Sequence, residues 1–117
     1  MAGFLTAHQV AENLQKLALT LDELVDQIDQ AEKDAVNARE DYTMAYAKEF
    51  LAADGSMDVR RYKATEATHA ERIAAELAEQ TVRGLRRQIE SVRMRIDVGR
   101  SLGAAIRAEA GLAGGPS

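Results

Sequence analysis

The sequence contains no cysteine and no tryptophan, and it has a single proline among 117 residues. Without cysteine, the chain can form no disulfide bond and offers no thiolate to a catalytic or zinc site. Only two phenylalanines and three tyrosines are present, which is few for a β-rich core. The composition is instead typical of long helices and coiled coils, since 29% of the residues are charged and alanine and leucine are abundant.

Long apolar runs are also missing. The N-terminus has no basic segment followed by an apolar one, and no uninterrupted apolar run approaches the length of about 20 residues that crosses a bilayer. We therefore expect a cytoplasmic protein that does not contact a membrane. The net charge of −4 is unevenly distributed, because residues 1–54 carry about −7 and residues 55–117 about +3. Such asymmetry indicates either a nucleic-acid-binding half or two halves that pair with each other.

The first helix is predicted from a capping pattern followed by a heptad repeat. Thr6 and Gln9 have the spacing of a capping box, in which each residue satisfies a backbone amide of the other. Apolar or small residues then alternate at steps of four and three, as in a coiled-coil seam, at Val10, Leu14, Leu17, Leu21, Leu24, Ile28, Ala31, Ala35, Ala38, Tyr42 and Ala45. Ala18, Val25 and Tyr46 widen this stripe, which is typical of a bundle with more than one partner helix.

The segment LAADGSMDVRR contains the only predicted interruption of the helical pattern. Gly55 suits the position after a helix C-terminus, and Ser56 suits the N-cap of the next helix. A turn this short makes the flanking helices antiparallel neighbours. The second helix has its own seam at Val82, Leu85, Ile89, Val92, Ile96, Gly99, Gly103 and Ile106.

These patterns predict an all-α fold, a long antiparallel helical hairpin of the coiled-coil type that associates into a multi-helix bundle. We predict one domain over residues 1–110, followed by a flexible tail. The predicted bounds are helix 1 at about 7–53, the turn at 54–56, helix 2 at about 57–110 and the tail at 111–117. Folding about Gly55 places residue i opposite roughly residue 110 − i.

A two-helix hairpin leaves the back of a wide apolar stripe uncovered, so we expect a homo-oligomer, either a dimer or a larger assembly. Gly99 and Gly103 would let a helix backbone approach closely. The predicted interface between copies comprises Leu14, Leu17, Leu21, Val25, Ile96, Gly99, Gly103 and Ile106.

Four arginines at seven-residue intervals, Arg86, Arg93, Arg100 and Arg107, form what we call the arginine ladder. The predicted register places Arg86 beside an acidic run made of Asp22, Glu23, Asp26 and Asp29. Arg100 and Arg107 face no carboxylate before Glu12. We therefore predict that Arg93, Arg100 and Arg107 contact a partner, although the ladder could also serve assembly, by reaching Glu12 of a second subunit.

Most of the aromatic residues lie near the predicted turn. Tyr42, Tyr46 and Tyr62 belong to this group, and two interpretations stay open. The rings either close the tip of the hairpin or bind a partner. Nothing in the sequence forms a phosphate-binding loop, a nucleophile with its base or a paired set of buried carboxylates. We expect no enzyme, no catalytic residue, no metal and no cofactor.

Two segments, DYTMAYAKEFLAADGSMDVRRYKAT and LRRQIESVRMRIDVGRSLGAAIRAE, resemble small all-helical proteins encoded by actinobacterial siphophages. The shared motifs are a Tyr-x-x-x-Tyr-Ala-Lys run, an acidic-Gly-Ser turn and a closing Arg-Ser-Leu-Gly-Ala-Ala helix, and they cover about two thirds of the chain. The resemblance implies a phage origin, a gene close to replication or recombination functions and action in the host cytoplasm. A looser, architectural likeness links the hairpin to Gam-type host-nuclease inhibitors.

Three functions are compatible with these features. The favoured one is a homo-oligomeric phage protein that binds a host or phage protein, in DNA metabolism or counter-defence. The second is a nucleic-acid-binding accessory of recombination or replication that uses the arginine ladder. The third is a protein that sequesters an anionic small molecule, such as a signalling nucleotide, between arginines and tyrosines. Overall acidity and the lack of aromatic residues within the ladder count against nucleic acid.

Overall fold

The computed structural model of the protein describes residues 5–113, and the regular structure in this range consists of three helices without strands. Helix α1 spans Ala7–Ala52, α2 spans Met57–Ala67 and α3 spans His69–Ala113. The predicted all-α fold is confirmed.

The N-terminus of α1 is closed by the predicted capping box. The backbone amide of Thr6 donates to Oε1 of Gln9 at 2.9 Å, and the amide of Gln9 donates to Oγ1 of Thr6 at 3.1 Å. Two of the amides that a helix N-terminus leaves without intrahelical partners are thereby satisfied.

The turn between α1 and α2 depends on Gly55 and Ser56. Gly55 has a φ of 116°, a backbone conformation that residues with a Cβ rarely adopt. Ser56 is the N-cap of α2, and its side chain accepts a hydrogen bond from the amide of Val59 at 3.3 Å. Arg60 closes the turn from the other side, since its Nε donates to the carbonyl of Gly55 at 3.1 Å. The N-cap role predicted for Ser56 is confirmed, and Gly55 has the positive φ predicted for it, but Ala53 and Asp54 separate Gly55 from the end of α1, so it is not the residue that directly ends the helix.

The prediction of one uninterrupted second helix is wrong, because the helix is interrupted at Thr68, which separates α2 from α3. The Thr68 side chain is only 1% exposed. Its Oγ1 donates to the carbonyl of Ala64 at 2.6 Å, and its own amide donates to the same carbonyl at 3.1 Å. A threonine that bonds back to the preceding turn competes with the regular helix and bends it. Helices α2 and α3 therefore meet at this residue.

At its C-terminus α3 continues to Ala113, so residues 111–113, which were predicted as part of a flexible tail, are helical. The added length is a continuation of an alanine-rich segment with high helix propensity. Residues 114–117, the remainder of the predicted tail, lie outside the described residues.

The chain predicted as a single domain over residues 1–110 divides into two compact units. The first, which we call the terminal unit, combines α1 up to Asp26 with α3 from Arg87 onward. The second, which we call the turn unit, spans Gln27–Arg86. Within each unit α1 packs antiparallel against α3, which is the arrangement of a helical hairpin.

The cores of both units follow the two predicted seams. On α1 the buried side chains are Val10, Leu24 and Ala31, and on α3 they are Ala75, Val82, Ile89 and Val92. The remaining members of both seams are half-buried, except Gly99 and Gly103, which are buried. Ala18 and Val25, which widen the α1 stripe, are exposed, so no other helix within residues 5–113 covers this flank.

The register of the terminal unit differs from the predicted one by three residues. Leu14 lies against Gly99 and Val10 against Gly103, so the numbers of facing residues add up to 113 instead of 110.

Candidate partner-binding surfaces

The arginine ladder follows one flank of the α3 seam, and within residues 5–113 only its first member forms an ion pair with the opposite helix. Arg86, in the turn unit, places Nη2 at 3.4 Å from Oε1 of Glu32. The predicted pairing of Arg86 with the acidic run is therefore wrong. Asp29, from that run, forms its ion pair with Lys33 at 3.3 Å within α1.

The other three ladder residues, Arg93, Arg100 and Arg107, lie exposed in the terminal unit. None of them has a carboxylate within 4.0 Å among residues 5–113. These arginines face no carboxylate because the flank of α1 on the same side consists of Ala11, Ala18 and Val25. Three charged side chains therefore border a surface of small apolar ones.

Glu12, the acidic residue considered for these arginines, is engaged elsewhere in its own helix. Its Oε1 lies 3.0 Å from Nε2 of His8, one turn earlier in α1. Both side chains are largely exposed, so this contact is weak and leaves Glu12 accessible to solvent.

Most residues predicted as an interface between copies pack within the chain. Gly99 and Gly103 face α1 of the same chain, and a Cβ built on Gly99 would lie only 2.6 Å from Cδ2 of Leu14. The close helix approach that these glycines permit is therefore intramolecular. The half-buried members of the predicted set are Leu14, Leu17, Leu21, Ile96 and Ile106, and Val25 is exposed. Their role between copies stays a prediction.

A different apolar surface is free in the terminal unit. Met94, Val98 and Leu102 follow one another at intervals of four residues on α3, and their side chains are 68%, 67% and 37% exposed. We call these three residues the α3 stripe. With Asn13 and Leu17 of α1 they line an open groove of about 700 Å³. The sequence-based prediction does not include the stripe, although its four-residue spacing is a signal of a second apolar helix face.

Two of the predicted tyrosines form a row with Phe50 along α1. The rings of Tyr42 and Tyr46 meet edge to face at 6.3 Å between centroids, and those of Tyr46 and Phe50 stack at 6.4 Å. The guanidinium carbon of Arg39 lies 5.7 Å from the centroid of the Tyr42 ring, within the range of a cation–π interaction. Tyr42 and Tyr46 are half-buried, and both belong to the turn unit.

Tyr62, the third predicted tyrosine, is 76% exposed on α2. Beside the aromatic row lies a shallow cleft of about 450 Å³, and exposed Leu51 and Met57 form part of its lining. The three tyrosines belong to the turn unit, whereas Arg93, Arg100 and Arg107 belong to the terminal unit. Neither compact unit brings the two predicted groups into one site.

The turn unit contains a cross-helix ion pair that was not predicted. Nε and Nη2 of Arg39 donate to Oε1 of Glu79 at 3.0 and 2.6 Å. Hydrogen bonding to this carboxylate raises the pKa of the Arg39 guanidinium above its ordinary value. Arg39 lies on the same flank of α1 as Glu32, and Glu79 lies on the same flank of α3 as Arg86. Opposite charges on these two facing flanks were the sequence signal from which the pair could have been predicted.

The described residues contain no group of three or more histidine, aspartate or glutamate side chains placed to hold a metal ion. His69 instead places Nδ1 at 3.1 Å from Nη2 of Arg72 on the next turn of α3.

No protein-family model, no curated protein and no solved structure matches the chain. None of the helices in residues 5–113 is long and apolar enough to cross a membrane.

Proposed function

We propose that the protein is a non-enzymatic interaction protein of phage origin that self-associates and binds an acidic segment of a host or phage protein. The observation that carries this proposal is the row formed by Arg93, Arg100 and Arg107, three exposed arginines without a carboxylate partner among the described residues. Its site of action would be the cytoplasm of the host cell.

The spacing of the row fits a helical partner. Residues seven apart on a helix are separated by about 10.5 Å, so the three arginines extend over roughly 21 Å. A second helix with carboxylates at the same interval could pair with all three. Arginine suits this contact because its planar guanidinium forms bidentate hydrogen bonds with carboxylates.

The flank of α1 beside the row supplies an apolar floor for such a helix. Ala11 and Ala18 have short side chains, and Val25 is 45% exposed. An amphipathic helix could place its apolar residues on this floor and its carboxylates on the arginines. Burying apolar surface would give affinity, and the charge pairs would select the partner.

A protein partner is favoured over nucleic acid by the charges next to the row. Glu90, Asp97 and Glu109 lie on the same helix, and the whole chain carries a net charge of −4. Nucleic-acid-binding surfaces are typically continuous basic patches, because affinity depends on neutralising many phosphates. A small anion held between arginines and tyrosines would need both groups in one site, and neither compact unit contains both.

The resemblance to siphophage proteins implies a gene close to replication or recombination functions but no activity, so DNA metabolism or counter-defence enters the proposal through that gene position alone. A helical hairpin with one charged flank and one apolar stripe offers two surfaces for binding.

The experiment is affinity capture from a host lysate followed by mass spectrometry, with matched variants of the full chain. We expect Arg100→Ala/Arg107→Ala to lose a protein that the unmodified chain retains. Arg83→Ala is the matched control, because Arg83 is an exposed arginine of the same helix outside the ladder, hydrogen-bonded to Gln80 at 2.8 Å.

Two results would contradict the proposal. Binding of DNA or RNA that weakens steeply with salt and depends on Arg100 and Arg107 would favour the nucleic-acid function. A melting temperature that rises with an added nucleotide would favour sequestration of a small anion, because a ligand that binds only the folded state stabilises it.

A further inference from the structure

The α3 stripe is an apolar surface that the terminal unit leaves uncovered. An α-helix turns by about 100° per residue, which places Met94 and Leu102 about 40° to either side of Val98. Ser91 and Ala105 lie about 20° from Val98 on the same measure. All five side chains reach solvent, so they form one continuous face with Val98 at its centre.

Along its centre this face has the same kind of residue at four and at seven positions on both sides, whereas its edges three positions away differ, with Arg95 on one side and Ser101 on the other. Four residues from Val98 there is a long apolar side chain in each direction, Met94 and Leu102, and seven residues away there is a small one, Ser91 and Ala105. A face with this pattern is self-complementary when two copies of it meet head to tail. Two-fold interfaces have this property, since the same patch serves both subunits.

We propose that α3 packs antiparallel against α3 of a second copy, with a two-fold axis at Val98. Each residue then faces the residue of the second copy whose number brings the total to 196. Val98 meets Val98, and Met94 meets Leu102 twice. The inference rests on the self-association in the proposed function and specifies the surface that mediates it.

The charges at the two ends of the face match the same arrangement. Arg87 and Glu109 are each eleven residues from Val98, and both lie about 20° from its direction. Both are exposed, and neither forms an ion pair in the described part of the chain. In the antiparallel dimer Arg87 faces Glu109 of the second copy, and symmetry gives two such pairs.

The size of the face is close to what a stable dimer needs. The helix from Arg87 to Glu109 is about 33 Å long, and Asn13 and Leu17 extend the lining of the same groove onto α1. A face of that length and about 20 Å wide, two helices across, has an area on the order of 650 Å². Stable interfaces bury roughly 800 Å² per partner.

The test measures the dimer by analytical ultracentrifugation on the full chain. Val98→Glu brings two like charges together at the axis, so we expect the dissociation constant to rise by at least about tenfold. Leu19→Glu is the matched control, because Leu19 is 59% exposed on α1 and lies outside the proposed face. Its dissociation constant should stay unchanged. Circular dichroism checks that both variants keep their helix content.

Charge exchange tests the antiparallel register. Arg87→Glu alone and Glu109→Arg alone should each weaken the dimer, because each creates two pairs of like charges. The double variant Arg87→Glu/Glu109→Arg restores opposite charges and should recover the original dissociation constant. A parallel dimer would show no such recovery.

Cross-linking gives an independent test, since the chain has no cysteine of its own. A mixture of Met94→Cys and Leu102→Cys chains should form disulfide-linked heterodimers in preference to either homodimer. If the chain dimerises but Val98→Glu has no effect, the proposed face is wrong while self-association stands. If the unmodified chain is a monomer at millimolar concentration, both fail, and binding by Arg100 and Arg107 is still judged separately from the lysate experiment.

Discussion

The guanidinium of Arg39 on α1 donates two hydrogen bonds to one carboxylate oxygen of Glu79 on α3, forty residues later in the chain. The pair of Arg86 and Glu32 joins the same two helices within the turn unit. In both pairs the residue numbers add up to 118. A slip of α3 along α1 would break both contacts at once, so together they favour one register.

We expect reversal of one charge in the first pair to destabilise the turn unit. Glu79→Arg places two guanidinium groups at hydrogen-bonding distance and should lower the melting temperature. Arg39→Glu/Glu79→Arg, which exchanges the charges, should recover most of the loss. Thermal unfolding followed by circular dichroism measures both effects, and equal melting temperatures for the single and double variants would show that the pair does not contribute.

The glycines of the α3 seam should respond differently to alanine. A Cβ at Gly103 would meet Cγ1 of Val10 at 3.5 Å, an ordinary contact. Because alanine has a higher helix propensity than glycine, Gly103→Ala should stabilise the protein by up to about 1 kcal/mol. At Gly99 a Cβ would lie 2.6 Å from Leu14, so Gly99→Ala should lose this gain, and Gly99→Leu should cost about 1–3 kcal/mol.

Urea unfolding with linear extrapolation measures these differences. Gly111→Ala is the control for propensity alone, because nothing lies within 4 Å of a Cβ at that position. If Gly99→Leu were as stable as the unmodified chain, Leu14 would have to move aside without loss of packing, and the glycine would not determine the distance between the helices.

Sequence patterns were sufficient for the all-α fold class and for the buried faces of the helices, but they did not predict the interruption at Thr68. Apolar periodicity identified the seam residues because a side chain's position around a helix depends only on the local backbone geometry. The capping box at Thr6 and the turn at Gly55 could be predicted for the same reason, since each depends on hydrogen bonds or dihedral angles of residues close in sequence.

The turn gives a further prediction on stability. Ser56→Ala removes the acceptor of the Val59 amide and should cost about 1 kcal/mol, the usual effect of losing an N-cap. Gly55→Ala forces a Cβ into a residue with φ of 116° and to within 3.0 Å of Val59. Gly55→Ala should lower the free energy of unfolding by more than Ser56→Ala does, and urea unfolding of the two variants shows which loss is larger.

The two ends of the arginine ladder should separate on mutation. Arg86→Ala removes one exposed ion pair, and we expect a loss of roughly 0.2–1 kcal/mol with partner binding intact. Arg100→Ala/Arg107→Ala should change stability by less than about 0.5 kcal/mol and weaken partner binding. If the double variant dissociates the oligomer while partner capture survives, these arginines serve assembly instead.

Features that depend on contacts between distant residues escaped prediction. The register differs by three residues from the predicted one because it depends on which side chains meet across the seam. The ion pair of Arg39 with Glu79 follows from that register. The free α3 stripe was missed for another reason, since periodicity alone does not tell which of two apolar faces on one helix the chain itself covers.

The break at Thr68 has a consequence for hydrogen exchange. It leaves α2 with 11 residues, and isolated helices shorter than about 12–15 residues are marginal in water. Only one residue of α2, Ala64, is fully buried. The amides of α2 should therefore exchange with solvent deuterium through a local opening that leaves α3 folded, and their protection should fall well below that of the amides around Ile89 and Val92.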